Sequence, residues 1–103
     1  MKIAVVILNW NGKKLLKQFL PSVIEHSPEA AIYLADNASE DDSILFAKQT
    51  FPSVQIIENK ENGGYAKGYN DALKDIDADV FCLLNSDVEV SKGWLQPILK
   101  TFK

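Results

Sequence analysis

Three short apolar runs in this chain each end in a cluster of amides and carboxylates. Ile3-Ala4-Val5-Val6-Ile7-Leu8 leads into Asn9-Trp10-Asn11-Gly12, and Ala31-Ile32-Tyr33-Leu34-Ala35 leads into Asp36-Asn37-Ala38-Ser39. Val80-Phe81-Cys82-Leu83-Leu84 leads into Asn85-Ser86-Asp87-Val88-Glu89. In the last cluster, alternation puts Asn85, Asp87 and Glu89 on one side if the segment stays extended. A carboxylate beside an amide oxygen suits a hard divalent cation such as Mg²⁺ or Mn²⁺. Asn, Ser and Asp are also turn formers, so a plain turn is the competing reading.

The other polar segments carry the same double meaning. Asp36 and Asn37 offer hydrogen bonds to a ribose or a base edge, or else form the turn and cap before a helix. Asn62-Gly63-Gly64-Tyr65-Ala66-Lys67-Gly68-Tyr69-Asn70 opens a helix with two glycines, which lets a ligand approach the backbone and offers a helix N-terminus to an anion. It is neither a Walker A loop nor a G-x-G-x-x-G fingerprint, and a strand-to-helix turn needing positive φ explains the glycines equally well. Gly68 inside the helix is costly to helix stability and favours a close approach. Lys67 either pairs with a phosphate or is solvated. Asn11-Gly12 is a common turn dipeptide, and Trp10 is expected to pack against the fold. His26, the sole histidine, falls at a helix C-terminus, where it complements the dipole.

These clusters need elements to hold them. Ile3–Leu8 is a β-branched run with the character of a strand buried on both faces. The periodicity predicts a helix over Lys13–Glu25, with a kink at Pro21 or two short helices meeting there. A strand over Ala31–Ala35 precedes a helix expected to start at Ser39 as cap, with Asp41 and Asp42 in its first turn, and to end near Phe51. Val54–Glu58 is the third strand. A helix from Tyr65 to about Ile76 leads to the fourth strand, Val80–Leu84. Val88–Val90 reads as a short strand, and Ser91 as the cap of a last helix near Trp94–Phe102. Strand–helix alternation of this kind implies a mainly parallel sheet with right-handed crossovers. In such sheets, ligands bind beyond the carboxyl ends of the strands where strand order reverses.

The totals narrow the function classes. A chain of 103 residues is one small domain, 1–103. With 47% hydrophobic and 24% charged residues, its composition is that of a globular protein. A net charge of −3 argues against a nucleic-acid partner. An anionic ligand therefore needs backbone N–H groups or a cation. The single cysteine, Cys82, admits no intrachain disulfide and reads as inert core. The run Ile3–Leu8 is too short to span a bilayer or to form the apolar region of a signal peptide. A reducing cytoplasm is the expected setting.

Taken in order, the stretches Val5–Gly12, Asp36–Asp41, Asn59 with Asn62–Asn70, and Leu83–Asp87 resemble the inverting family 2 glycosyltransferases of the GT-A fold. The resemblance spans essentially the whole chain. The branch it is most similar to includes rhamnosyltransferases of cell-wall and surface polysaccharide synthesis. The implied fold is α/β: a three-layer αβα, Rossmann-like nucleotide-diphospho-sugar transferase fold with a mainly parallel sheet, here truncated. By position, the resemblance implies that Asn9 and Asn11 line the nucleotide pocket and that Asp36 hydrogen-bonds a uracil or thymine base, with Asn37 beside it. Asn62, Gly64, Lys67 and Asn70 lie along the nucleotide, with Lys67 near the diphosphate. Asn85-Ser86-Asp87 stands for the D-x-D of the family. Asp87 binds the Mg²⁺ or Mn²⁺ that bridges the diphosphate, and Asn85, in place of the first carboxylate, joins the residues that bind the donor nucleotide.

The implied activity is sugar transfer with inversion, from a UDP-sugar or dTDP-sugar to a hydroxyl of a saccharide or lipid-linked saccharide. No residue matches the general base of the family, so the catalytic residue is not assigned, and the chain carries the donor and metal-binding half. The expected location is cytoplasmic, with the full-length protein peripheral to the inner face of the membrane through segments absent here. An uncovered sheet edge predicts self-association of the chain. Two other classes remain for comparison: a non-catalytic nucleotide-sugar-binding or assembly module, and a receiver-like signalling domain, which the Asn9 strand end disfavours.

Overall fold

The computed structural model describes residues 2–97. Four strands, β1 (Ile3–Asn9), β2 (Ala31–Asp36), β3 (Gln55–Glu58) and β4 (Val80–Asn85), form one parallel sheet in the order β3-β2-β1-β4. Three helices connect them: α1 (Lys13–Glu25), α2 (Ser43–Thr50) and α3 (Tyr65–Leu73). The chain steps outward from β1 to β3, then returns past β1 to lay down β4. Right-handed crossovers in opposite directions put their helices on opposite faces. Two cores follow. Val5 and Ile7 of β1 pack with Leu16, Leu20, Val23 and Ala47 on the α1 and α2 side. Ala4, Val6 and Leu8 pack with Tyr69 and Ala72 on the α3 side. Period-two alternation along β1 therefore feeds both layers, which is why every residue of that strand is buried.

The element boundaries correct several expectations. α1 is one element through Pro21 rather than two helices; the proline and Lys17, whose carbonyl it cannot serve, are both exposed, so water can replace the missing bond. α2 starts four residues after the expected cap, because the Ser39 oxygen already accepts from the Asn11 backbone N–H at 2.9 Å while its hydroxyl donates to Asp36 at 2.6 Å. Asp42 occupies the cap position without a capping hydrogen bond, its carboxylate pairing instead with Lys13 at 2.9 Å, while the Asp41 carboxylate accepts from the Ser43 backbone N–H at 3.0 Å and from its hydroxyl. α3 ends at Leu73 rather than Ile76, although Ile76 still buries in the α3-side core. Val88–Val90 forms no strand; Val88 and Val90 pack instead on the α1-side core. Most of the last helix expected near Trp94–Phe102 lies outside the described residues. Within them, turns over residues 92–95 pack Trp94 and Leu95 against α1, and the Trp94 indole N–H donates to Ser27 at 2.8 Å. Cys82 packs on the α1-side core, where partial burial pushes its thiol pKa up and disfavours the thiolate.

Candidate functional site

The parallel register aligns the polar strand ends: Asn9 lies beside Asp36, and Leu8 beside Asn85. Beyond this edge, on the α3 side, opens a cleft of about 270 Å³ lined by Leu8, Trp10, Asn37, Asn62, Gly64 and Ser86. It sits between β1 and its neighbours on both sides, at the reversal of strand order.

Two hydrogen-bond networks build its walls. The first lies on the α1 and α2 side. Asn9 and Asp36 continue the inward alternation of their strands, and both are fully buried. The Asp36 carboxylate accepts from Asn9 Nδ2 at 2.9 Å, from the Ser39 hydroxyl at 2.6 Å and from the Ser39 backbone N–H at 2.9 Å. These bonds hold the 36–39 turn, in which Ala38 takes a positive φ of 61°. Asn11, at φ 50°, faces the same loop: its Oδ1 accepts from the Glu40 and Asp41 backbone N–H groups at 2.7 and 3.2 Å. Gly12 closes over Asn9. A Cβ there would collide with Asn9 Oδ1, the one buried side-chain polar atom without a partner among the described residues.

The second network lies on the α3 side and belongs to the cleft itself. Asn37 Nδ2 donates to Asn62 Oδ1 at 2.9 Å and to the Gly64 carbonyl at 3.3 Å. Asn59 Nδ2 donates to Asn37 Oδ1 and to the Gly68 carbonyl, both at 3.1 Å. Gly64, at φ 89°, starts α3 in a conformation that favours glycine. The close approach expected of Gly68 is real but internal: an added Cβ would lie 2.9 Å from Leu8 Cδ1 and 3.1 Å from the Asn37 amide.

The structure thus sorts the residues singled out in the sequence. Asn37, Asn62 and Gly64 line the cleft. Asn9 and Asp36 support it from beneath, with the Asp36 carboxylate turned inward onto protein donors. Asn11 braces the 39–41 loop. Asn70 is exposed on α3, outside the cleft lining. Lys67 also points elsewhere. Its ammonium binds Asp71 at 2.7 Å and Glu61 at 3.2 Å in a separate groove lined by residues 58–61, by Lys67 and Asp71 of α3, and by Lys74 and Asp75. The Asp71 carboxylate first, and Glu61 second, hold its pKa above the usual lysine value.

Trp10 overturns the packing expectation. It is 53% exposed and lines the cleft, because it leaves β1 just past the buried register. Ser86 and Leu8 are cleft residues that motif reading passed over. The available signal for Trp10 was a large aromatic in a polar loop directly after a strand.

Asn85 and Asp87 are exposed at the end of β4, flanking the cleft residue Ser86. Among the described residues no three His, Cys, Asp or Glu side chains gather into a metal cage. One carboxylate beside an amide fits a Mg²⁺- or Mn²⁺-type ion whose coordination is completed by substrate phosphates and water. It does not fit an ion held by protein groups alone.

Comparison with known proteins places this geometry in context. A family model described as Glycosyl transferase family 2 matches residues 4–103. The uncharacterized glycosyltransferase YfnE of Bacillus subtilis (strain 168) is 32% identical over 105 residues, which cover 97% of this chain and 26% of that protein. The structure of S. aureus TarS 1-349 in complex with UDP-GlcNAc superposes with a TM-score of 0.83 at 22% identity, over 97% of this chain and 30% of that one. Mannosyltransferase PcManGT from Pyrobaculum calidifontis, in complex with GDP-Man and Mn²⁺, gives a TM-score of 0.76 at 20% identity, over 85% of this chain and 28% of that one. The chain therefore spans less than a third of the length of each of these proteins. The architecture is that of the GT-A fold.

Proposed function

This chain belongs to glycosyl transferase family 2, and on that footing we propose that it binds the nucleotide of a UDP-sugar or dTDP-sugar in the cleft at the strand ends. The observation that carries the reading is that an exposed indole, Trp10, and a buried amide, Asn37, line the same cleft. That combination offers a stacking face and a hydrogen-bonding edge to a planar base. Its position at the reversal of strand order is where open α/β sheets bind ligands. The UDP-GlcNAc and GDP-Man held by the two structural neighbours support a nucleotide-sugar ligand.

In this reading the base lies against Trp10 and Asn37, and the diphosphate runs toward Asn85-Ser86-Asp87. Asp87 would hold a Mg²⁺ or Mn²⁺ together with the phosphate oxygens; the bound cation would supply charge stabilisation for the departing diphosphate. The Mn²⁺ of the Pyrobaculum structure supports that choice of ion. The reaction proposed for the whole protein is attack of an acceptor hydroxyl on the anomeric carbon with inversion. The acceptor is a saccharide or lipid-linked saccharide of surface polysaccharide synthesis, on the rhamnosyltransferase-like side of the family. No described residue is assigned as the general base. The proposed setting is cytoplasmic, with the whole protein peripheral to the inner face of the membrane. No helix among the described residues is long and apolar enough to cross one.

Calorimetric titration of UDP and dTDP, with Mn²⁺ and again with EDTA, tests this reading. Binding is expected only with the metal, and Asp87→Ala is expected to abolish that dependence. A folded chain that binds neither nucleotide would sink the proposal, and unchanged metal-dependent affinity in Asp87→Ala would remove Asp87 from the ion.

The proposed self-association has a specific locus. β4 lies at the edge of the sheet, with Phe81 and Leu83 36% and 49% exposed on the α3 side. Unpaired strand edges beside apolar side chains pair with other chains. Sedimentation is expected to show mass rising with concentration, and a monomer throughout would refute the contact.

A further inference from the structure

We propose that Asn59, which lies outside the cleft lining, is the positioning residue that makes the Asn37 amide an acceptor, and not a donor, toward the bound base. This inference rests on the cleft being the donor-nucleotide pocket. Three amide side chains and three backbone groups form a directed relay. The Gly68 carbonyl can only accept, so it requires Asn59 to present Nδ2, at 3.1 Å. The second hydrogen of that nitrogen then meets Asn37 at 3.1 Å, which requires Oδ1 of Asn37 on that side. The Gly64 carbonyl likewise requires Nδ2 of Asn37 on the other side, at 3.3 Å. The Gly64 N–H donates to Asn62 at 3.0 Å and so turns Oδ1 of Asn62 toward Asn37 Nδ2, at 2.9 Å. Backbone groups at both ends thus set every amide orientation in the chain.

The count of hydrogens gives the consequence. Both Nδ2 hydrogens of Asn37 are engaged, by Asn62 and by Gly64. Its Oδ1 accepts one bond, from Asn59, and an amide oxygen has two lone pairs. The capacity left on the side chain of this 3%-exposed residue is therefore a single acceptor site. A uracil or thymine ring carries one N–H on its pairing edge, at N3, and this is the group such a site would read.

The test compares UDP with CDP, whose ring carries an N3 acceptor in place of the N3–H donor at nearly constant shape, by calorimetry with Mn²⁺. The unaltered chain is expected to prefer UDP by about tenfold, the usual worth of a hydrogen bond to an otherwise unpaired buried group. Asn59→Asp puts an acceptor where a donor stood and is expected to bring that preference to about one. Both ligands carry the same diphosphate, so the added negative charge weakens them alike and cancels in the ratio. Asn59→Ala, which adds no repulsion toward Gly68, is expected to lower the ratio by a smaller factor and serves if the Asp variant does not fold. Equal binding of the two ligands by the unaltered chain overturns the inference. A ratio unchanged in the variants also overturns it, because Asn59 would then only support the fold. A chain that binds neither ligand fails the donor-pocket reading itself, and this inference with it.

Discussion

Asp36→Ala is expected to destabilise the chain by about 3 kcal/mol or more, a cost characteristic of leaving several buried donors without partners. The carboxylate is fully buried and accepts three bonds, from Asn9 Nδ2, the Ser39 hydroxyl and the Ser39 N–H. Its removal leaves Asn9, itself fully buried, with Ser39 Oγ at 3.3 Å as the remaining partner of its amide nitrogen. The turn that sets Asn37 at the cleft loses its anchor in the same step. Domains of this size have total stabilities of about 5–15 kcal/mol, so the loss is a large fraction of the whole. Urea unfolding followed by circular dichroism measures it as a lowered midpoint at unchanged slope. Asp36→Asn keeps one acceptor oxygen and is expected to fall between the two. The family resemblance assigns Asp36 to the base, and on that reading its loss weakens nucleotide binding more than folding. An unchanged unfolding midpoint with lost UDP affinity would restore that assignment and contradict the structural one.

Trp10→Ala is expected to do the opposite, leaving stability within about 0.5 kcal/mol while weakening UDP by about 1–3 kcal/mol, the range for one base stacked on one aromatic ring. That is roughly a 5- to 150-fold rise in Kd. The argument is geometric. The side chain is 53% exposed and lines the cleft, so the folded state loses little packing when it is removed. Trp10→Phe is expected to retain most of the affinity, since a smaller ring still stacks. Calorimetry of both variants, beside the same unfolding assay, separates binding from stability. A large fall in unfolding midpoint for Trp10→Ala, or unaltered UDP affinity, would count against the stacking role.

The two expectations together divide the site into a buried frame and a ligand-facing surface, and the sequence reveals the division unevenly. β1, α1 and the parallel sheet are legible because their signals are local: a β-branched run, a helical period, and strand–helix alternation. The polar strand ends are legible too, since Asn9, Asp36 and Asn85 interrupt apolar runs. Their division of labour is not. Asp36 and Asn37 are adjacent, and alternation says only that they face opposite sides of the sheet. Which side holds the cleft depends on α3 crossing to the face opposite α1 and α2, a consequence of where β4 is laid down.

The same reason explains the side chains that sequence placed differently. Ser39 has the composition of a helix cap, yet its oxygen accepts from the Asn11 N–H and its hydroxyl is tied to Asp36, and the helix starts at Ser43 instead. Lys67 sits on the expected helix, but Glu61 and Asp71 reach it first. Trp10 resembles a core residue by type and becomes a surface residue because β1 ends one position earlier. The sequence by itself determined the four strands and three helices of the described sheet, their parallel arrangement and the edge at which polar groups collect, since backbone period and local composition encode these. Only the tertiary structure decided which of those groups support the cleft and which face it. Hydrogen-bond partners such as Asn59 for Asn37, or Asp36 for Asn9, are brought together across 22 and 27 residues by the strand order, and no local signal specifies them.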